Sequence, residues 1–185
     1  MKSAVPNQKM SIHFSVLFLA FRNRKQGWEV DMKIINEDLI LLDVDLEDKD
    51  VLFECIASLF KQNSYVDDAE EFKDAMFFRE TEAPTGIGNL CAIPHGISDT
   101  VKEPGVCFIR LKDCIDYPEI ALETGRVKYV FGLAIPKTNT SNHVKVLSTI
   151  ACLLMEKSFQ DLIATSPEKG EILNAIKAEL HAKGL

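Results

Sequence analysis

The chain has 185 residues, 46% of them hydrophobic, which suits one well-buried core and is too short for two comfortable domains. Its formal net charge of -7 makes a sequence-independent grip on nucleic acid or anionic lipid electrostatically unfavourable, so nucleic acid is not an expected partner. The 5 cysteines, Cys55, Cys91, Cys107, Cys114 and Cys152, are widely spaced in apolar runs without a CxxC pair, a pattern that reads as reduced thiols in a cytoplasmic protein.

The early apolar run from Ile12 to Phe21 includes His13 and Ser15 and is well short of the roughly 20 residues needed to cross a bilayer. No membrane insertion is expected from it. Arg22, Asn23, Arg24 and Lys25 follow directly, where a secretory leader would carry small residues at its cleavage site. The segment beginning at Met32 reads like an ordinary protein start, so residues 1–31 are expected to be an N-terminal extension and residues 32–183 the domain.

From Leu39 to Val44 an apolar run broken by Asp43 suggests a strand. Asp48 can cap a helix in which Leu52, Cys55, Ile56, Leu59 and Phe60 fall at helical spacing. A second helix is expected from about Asp67, with Glu70 three residues on as in a capping box, and an inner stripe of Phe72, Ala75, Met76 and Arg79. Pro84, Gly86 and Gly88 mark a loop. After it, Leu90 to Ile93 should form a short buried strand that stops at Pro94-His95-Gly96.

Gly105 to Leu111 and Val127 to Ile135 read as two further strands, the second so continuously apolar that both its faces should be covered, and Pro136 ends it. The polar cluster from Thr138 to Asn142 offers caps for a helix whose inner stripe runs His143, Leu147, Ile150, Ala151 and Leu154. A last helix is signalled by Ser166 as cap, Pro167 at the first helical position and Glu168 in the first turn, with Ile172, Leu173, Ile176 and Leu180 facing inward and Gly184 closing it. Helices interleaved with short apolar strands indicate a single α/β domain whose central sheet has helices on both faces.

Arg79, His95 and His143 are polar groups at positions where the pattern calls for apolar residues or a tight turn. Each has a structural explanation: His143 as a core histidine bonded to a carbonyl, Arg79 as a cation complementing a helix C-terminus. His95 is harder to explain in that way, because Pro94 stiffens the backbone before it and Gly96 removes bulk after it. Together the three suggest phosphoryl chemistry. An imidazole nitrogen can attack a phosphoryl group and store it as phosphohistidine, a guanidinium such as Arg79 can balance the phosphoryl oxygens, and His143 in the first turn of a helix can add a hydrogen bond beside the helix's positive end.

Rival chemistries fit less well. Cys91 and His95 are a nucleophile–base pair by residue type, but four extended residues separate them by about 13 Å. Zinc held by His95, His143 and a cysteine lacks a close ligand pair. Gly86-Ile87-Gly88 lacks both a Walker lysine and a full GxGxxG.

The stretch from Arg79-Glu80 through Thr85-Gly86-Ile87-Gly88 to Ala92-Ile93-Pro94-His95-Gly96 resembles the fructose/mannitol-type enzyme IIA family of the phosphoenolpyruvate-dependent sugar phosphotransferase system. The resemblance covers roughly Met32 to His181. It implies a mixed, roughly five-stranded sheet flanked by helices, phosphorylation of His95, and His143 and Arg79 as the groups that steady the phosphoryl group. It also implies the histidine phosphocarrier protein as donor, an enzyme IIB cysteine as acceptor, and neither an organic cofactor nor a metal. Leu90-Cys91 stands where many relatives have Gly-Ile, and Asn142 where an acidic residue often precedes the second histidine; Cys91 beside the site is expected to be open to oxidants. A regulatory module of the same fold, acting through phosphorylation-dependent protein binding, is the alternative, and a structural protein with incidental histidines a third.

Overall fold

The computed structural model describes residues 34–120, 124–138 and 143–185. The N-terminal extension and residues 139–142 of the cap cluster lie outside the described residues. A 3-10 turn, Glu37–Leu39, capped by the Asn36 side chain, leads into strand β1, Ile40–Val44. Helix α1, Lys49–Gln62, starts as expected from Asp48, whose carboxylate accepts from the Val51 backbone N–H at 2.9 Å. Helix α2, Ala69–Glu82, starts one residue later than the sequence suggested. Asp68 is the cap, accepting from the Glu70 and Glu71 N–H groups, while Asp67 pairs with Lys102 at 2.7 Å.

Four strands follow in quick succession or at length: β2, Gly86–Gly88; β3, Cys91–Ala92; β4, His95–Ser98; and β5, Gly105–Asp116. Strand β6 covers Arg126–Pro136. Three helices close the chain: α3, His143–Met155; α4, Lys157–Thr165; and α5, Lys169–Ala182. Sequence periodicity had no signal for α4, because only Glu156 separates it from α3 and no glycine or proline marks the break. The last helix starts later than the sequence suggested: Glu168 is its N-cap and Lys169 its first residue, while Ser166 closes α4 and accepts from the Glu168 N–H at 3.1 Å in the connecting turn.

The six strands form one mixed sheet in the order β1-β5-β6-β3-β2, with β4 also pairing to β6. Pairing is parallel for β1 with β5 and for β3 and β4 with β6; β5 and β6 are antiparallel. The alternation of side chains across β6 shows why its sequence is apolar throughout. Val127, Val130 and Ala134 join a core with α1 and α2, while Phe131, Leu133 and Ile135 join a second core with α3, α4 and α5.

One polar residue is built into that second side. Arg110 on β5 is 5% exposed. Its guanidinium donates to both carboxylate oxygens of Asp43 at 2.8 Å each, and to the carbonyls of Ile163 and Ser166 at 3.0 and 2.7 Å. Asp43 sits at φ +56° where the register of β1 against β5 shifts, so the residue that interrupts the apolar run bulges the strand to meet Arg110. The clamp ties β1 and β5 to the end of α4.

Removing Arg110 orphans two carbonyls but leaves Asp43 largely in water, whereas removing Asp43 leaves a buried guanidinium without its counter-ion. Arg110→Met is therefore expected to cost about 2 kcal/mol, and Asp43→Ala more. Urea denaturation of the two variants checks the order; equal or reversed losses would sink the account of the clamp.

Candidate functional site

Residues 91 to 98 run beside β6 in a single register, Cys91 opposite Tyr129, Ala92 opposite Val130 and His95 opposite Leu133. The expected strand ending at Ile93 is thus two strands on one line, interrupted at Ile93 and Pro94. The physical reason is local. Pro94 has no N–H to give the ladder, and Ile93 bonds elsewhere, its N–H to the Thr85 carbonyl at 3.0 Å and its carbonyl to Nδ1 of His95 at 2.8 Å. His95 is accordingly the first residue of a strand rather than the start of a loop, and it is half-buried.

Arg79 reaches it from α2. The approach depends on Gly96: a Cβ there would lie 3.0 Å from the Phe72 ring, 3.1 Å from Met76 Cγ and 3.2 Å from the Met76 backbone nitrogen. The missing side chain lets α2 lie directly on β4, and Arg79, one turn beyond Met76, then sets its Nε 2.9 Å from Nε2 of His95. Its Nη1 donates to the Ala83 carbonyl at 2.9 Å. The role of Gly96 is therefore close helix–strand packing, beyond the removal of bulk expected from the sequence.

These partners determine the tautomer. A carbonyl only accepts, so Nδ1 of His95 carries the proton; a guanidinium only donates, so Nε2 presents its lone pair to Arg79. A protonated Nε2 would oppose an N–H to an N–H. Burial is the largest cause lowering the His95 pKa from 6.5. The bond to Ile93 and the charge of Glu80 act against that shift, while Arg79 and His143 add to it. His143, first residue of α3, thus lies near enough to act on His95 electrostatically. Of the three residues singled out by the sequence, Arg79 and His95 are in hydrogen-bond contact, while His143 is linked to His95 through its charge.

A second network adjoins the first and was not anticipated. The Glu80 carboxylate accepts from the Thr85 backbone N–H at 3.1 Å, the Thr85 hydroxyl at 2.6 Å and the Tyr117 hydroxyl at 3.2 Å. The two hydroxyls are themselves 2.7 Å apart. Thr85 and Tyr117 are buried, and burial together with the Glu80 charge pushes the Tyr117 phenol far above its ordinary range. The only sequence hint was the adjacency of Glu80 to Arg79; Tyr117 is too remote along the chain to have been paired with it.

Cys91 corrects an expectation. It is 1% exposed, and burial pushes its thiol up to about 11, so it is protonated and shielded rather than open to oxidants. Among the described residues, no group of three or more histidine, cysteine, aspartate or glutamate side chains is placed to hold a metal, and no helix is long and apolar enough to cross a membrane.

A family model described as "Phosphoenolpyruvate-dependent sugar phosphotransferase system, EIIA 2" matches residues 33–179. The mannitol-specific phosphotransferase enzyme IIA component of Geobacillus stearothermophilus is 29% identical over 150 residues, 80% of this chain and 97% of that protein. The fructose-specific EIIABC component of Bacillus subtilis is 25% identical over 144 residues, which are 78% of this chain but 22% of that protein's length. Among solved structures, the nitrogen regulatory protein IIA-Ntr from Neisseria meningitidis superposes with a TM-score of 0.71 at 28% identity, over 78% of this chain and 97% of that one. The Escherichia coli complex of enzyme IIA-Mtl with phosphorylated enzyme IIB-Mtl shares the fold, with a TM-score of 0.65 at 22% identity over 78% of this chain and 97% of the matched one.

Because the folded state favours neutral His95, protonation is linked to unfolding: this contribution to stability is present above about pH 6.5 and is lost as pH falls through the lowered pKa. Long-range nitrogen–proton NMR spectra are expected to show the Nδ1–H tautomer titrating below 6.5, with the midpoint rising in Arg79→Ala. An Nε2–H tautomer would overturn the assignment. Iodoacetamide at neutral pH is expected to label the exposed Cys152 and spare Cys91 and Cys107; rapid labelling of native Cys91 would contradict its burial.

Proposed function

We propose, because the chain belongs to the phosphoenolpyruvate-dependent sugar phosphotransferase system EIIA 2 family, that it is a cytoplasmic phosphoryl relay working through His95. The observation that carries this reading is the pinned imidazole, with Nδ1–H on the Ile93 carbonyl and the Nε2 lone pair facing Arg79. A neutral imidazole with its lone pair already directed at a cation is poised for in-line attack on an incoming phosphoryl group. In the accepting step Nε2 forms a bond to phosphorus, the donor's bond to phosphorus breaks, and its electron pair leaves with the donor. For that lone pair to be free, Arg79 gives up its bond to Nε2 as the phosphoryl group arrives and turns its N–H groups to the phosphoryl oxygens, where charge-assisted bonds replace the one lost. The positive charge gained by the imidazole is spread toward Nδ1–H, which the Ile93 carbonyl holds.

His143 serves as a further donor to the phosphoryl group, at the N-terminal end of α3 where exposed backbone N–H groups and the helix dipole favour an anion. In the donating step a thiolate sulfur attacks phosphorus, and the electron pair of the N–P bond returns to Nε2. The donor we assign is the histidine phosphocarrier protein and the acceptor a cysteine of an enzyme IIB, the partner seen with the E. coli mannitol relative. Protein partners suit the surroundings of the site. Phe78 and Val144, chain neighbours of Arg79 and His143, are 69% and 61% exposed, apolar surface of a kind that suits a protein partner. The domain boundary near Met32 and a fructose- or mannitol-like sugar belong to the same proposal.

A regulatory role is the second reading. It is favoured by the likeness to the Neisseria nitrogen regulatory protein, and it uses the same phosphorylated histidine to switch a protein contact by adding about -1.5 to -2 charge.

Incubation with phosphoenolpyruvate, enzyme I and the phosphocarrier protein is expected to add one acid-labile phosphate to the parent, none to His95→Gln, and phosphate at a rate lowered about 10²-fold or more to His143→Gln. Intact-mass spectrometry reads all three. A parent that stays unmodified, or His95→Gln that still gains phosphate, would overturn the relay. If phosphate is gained but no enzyme IIB discharges it, the regulatory reading replaces transport.

A further inference from the structure

Glu80 presents a physical puzzle. A site built to receive a dianion has a carboxylate on the residue next to its only described guanidinium partner, and that carboxylate is not loose. Three donor groups from two buried residues hold it: the Thr85 N–H and hydroxyl, and the Tyr117 hydroxyl. It neither pairs with Arg79 nor swings into solvent; Arg79 is directed instead to His95 and the Ala83 carbonyl. The purely structural explanation is that Glu80 fastens the end of α2 to the loop at Thr85 and to the end of β5. A neutral glutamine would do that nearly as well, because both hydroxyls can accept as well as donate. What glutamine lacks is the charge.

We propose that Glu80 is a positioning residue for phosphoryl transfer, whose fixed negative charge beside Arg79 offsets the guanidinium and keeps phospho-His95 from becoming too stable to hand on. Resting on the relay reading of His95, it addresses a requirement that any relay shares: the intermediate must be stabilised enough to form and weakly enough to discharge. Arg79, His143 and the N-terminal end of α3 all favour the phosphoryl anion. The Glu80 charge acts on His95 in the opposite sense, and a half-buried carboxylate held by buried donors keeps that effect in a region less screened than open solvent. Thr85 and Tyr117 set where the anion points.

Glu80→Gln and Tyr117→Phe separate the charge from the scaffold. Glu80→Gln is expected to lower the His95 titration midpoint in NMR, raise the phosphorylated fraction at equilibrium with the phosphocarrier protein by about three- to tenfold, and slow discharge to an enzyme IIB. Tyr117→Phe keeps the carboxylate and is expected to leave the midpoint near the parent's while lowering the unfolding midpoint. Parent-like titration and equilibrium in Glu80→Gln would overturn the proposal, as would equal shifts in both variants, which would mark a structural role. A parent that gains no phosphate at all is a different failure. It would remove the relay reading and this proposal with it, even if the titration midpoint still responded to Glu80→Gln.

Discussion

The contact on which the site depends is that of α2 against β4 across Gly96. An added methyl would meet both the side chain and the backbone nitrogen of Met76, so it would push on the helix itself rather than on a flexible tip. A helix displaced outward could not keep Arg79 Nε at 2.9 Å from Nε2 of His95, because Arg79 lies only one turn beyond the contact. Phe72 and Met76, buried in the core shared with α1, fix the height and rotation of α2 over the sheet. The arginine at the end of the helix is therefore aimed by apolar packing. Positional accuracy at a polar site is commonly borrowed from a rigid neighbour in this way.

The opposite face of the imidazole is fixed by other means. Pro94 leaves a gap in the β6 ladder, the Ile93 carbonyl accepts from Nδ1 of His95, and pairing resumes at His95 in unchanged register. The residue before the proline thus supplies the hydrogen bond that orients the ring. Between Arg79 and Ile93 both ring nitrogens are occupied, and partner chemistry alone selects the neutral tautomer with a bare Nε2.

Much of the architecture was legible because it rests on local signals. The Asp48 cap, the inner stripe carrying Phe72, Met76 and Arg79, and the doubly covered strand β6 each follow from residues within a few positions of one another. The Ala92-Ile93-Pro94-His95-Gly96 stretch likewise marks the candidate nucleophile by its own composition. The features that escaped depend on partners far apart in the chain. Arg110 meets Asp43 across 67 residues and the Ser166 carbonyl across 56, and Tyr117 meets Glu80 across 37. A lone arginine in an apolar run, or a tyrosine at a strand end, says nothing by itself of where its hydrogen bonds go. Helix α4 escaped for a different reason, since it is joined to α3 by one residue and no turn chemistry announces the break.

The turn before β3 places a strained residue beside the site-bearing strand. Gly88, Asn89 and Leu90 all have positive φ, at +84°, +53° and +61°. Glycine and asparagine take that conformation readily, whereas for leucine it costs about 1 to 2 kcal/mol. The conformation persists because it turns the Leu90 carbonyl onto β6, where it accepts from the N–H groups of both Lys128 and Tyr129 at 2.8 and 2.9 Å. Those two bonds seat Cys91 opposite Tyr129, and with it the register that places His95 opposite Leu133. Leu90 is thus strained in the service of the strand that carries the candidate nucleophile. Its side chain, 40% exposed, puts an apolar feature on the surface at that turn, so the residue that strains the backbone also shapes the surface there.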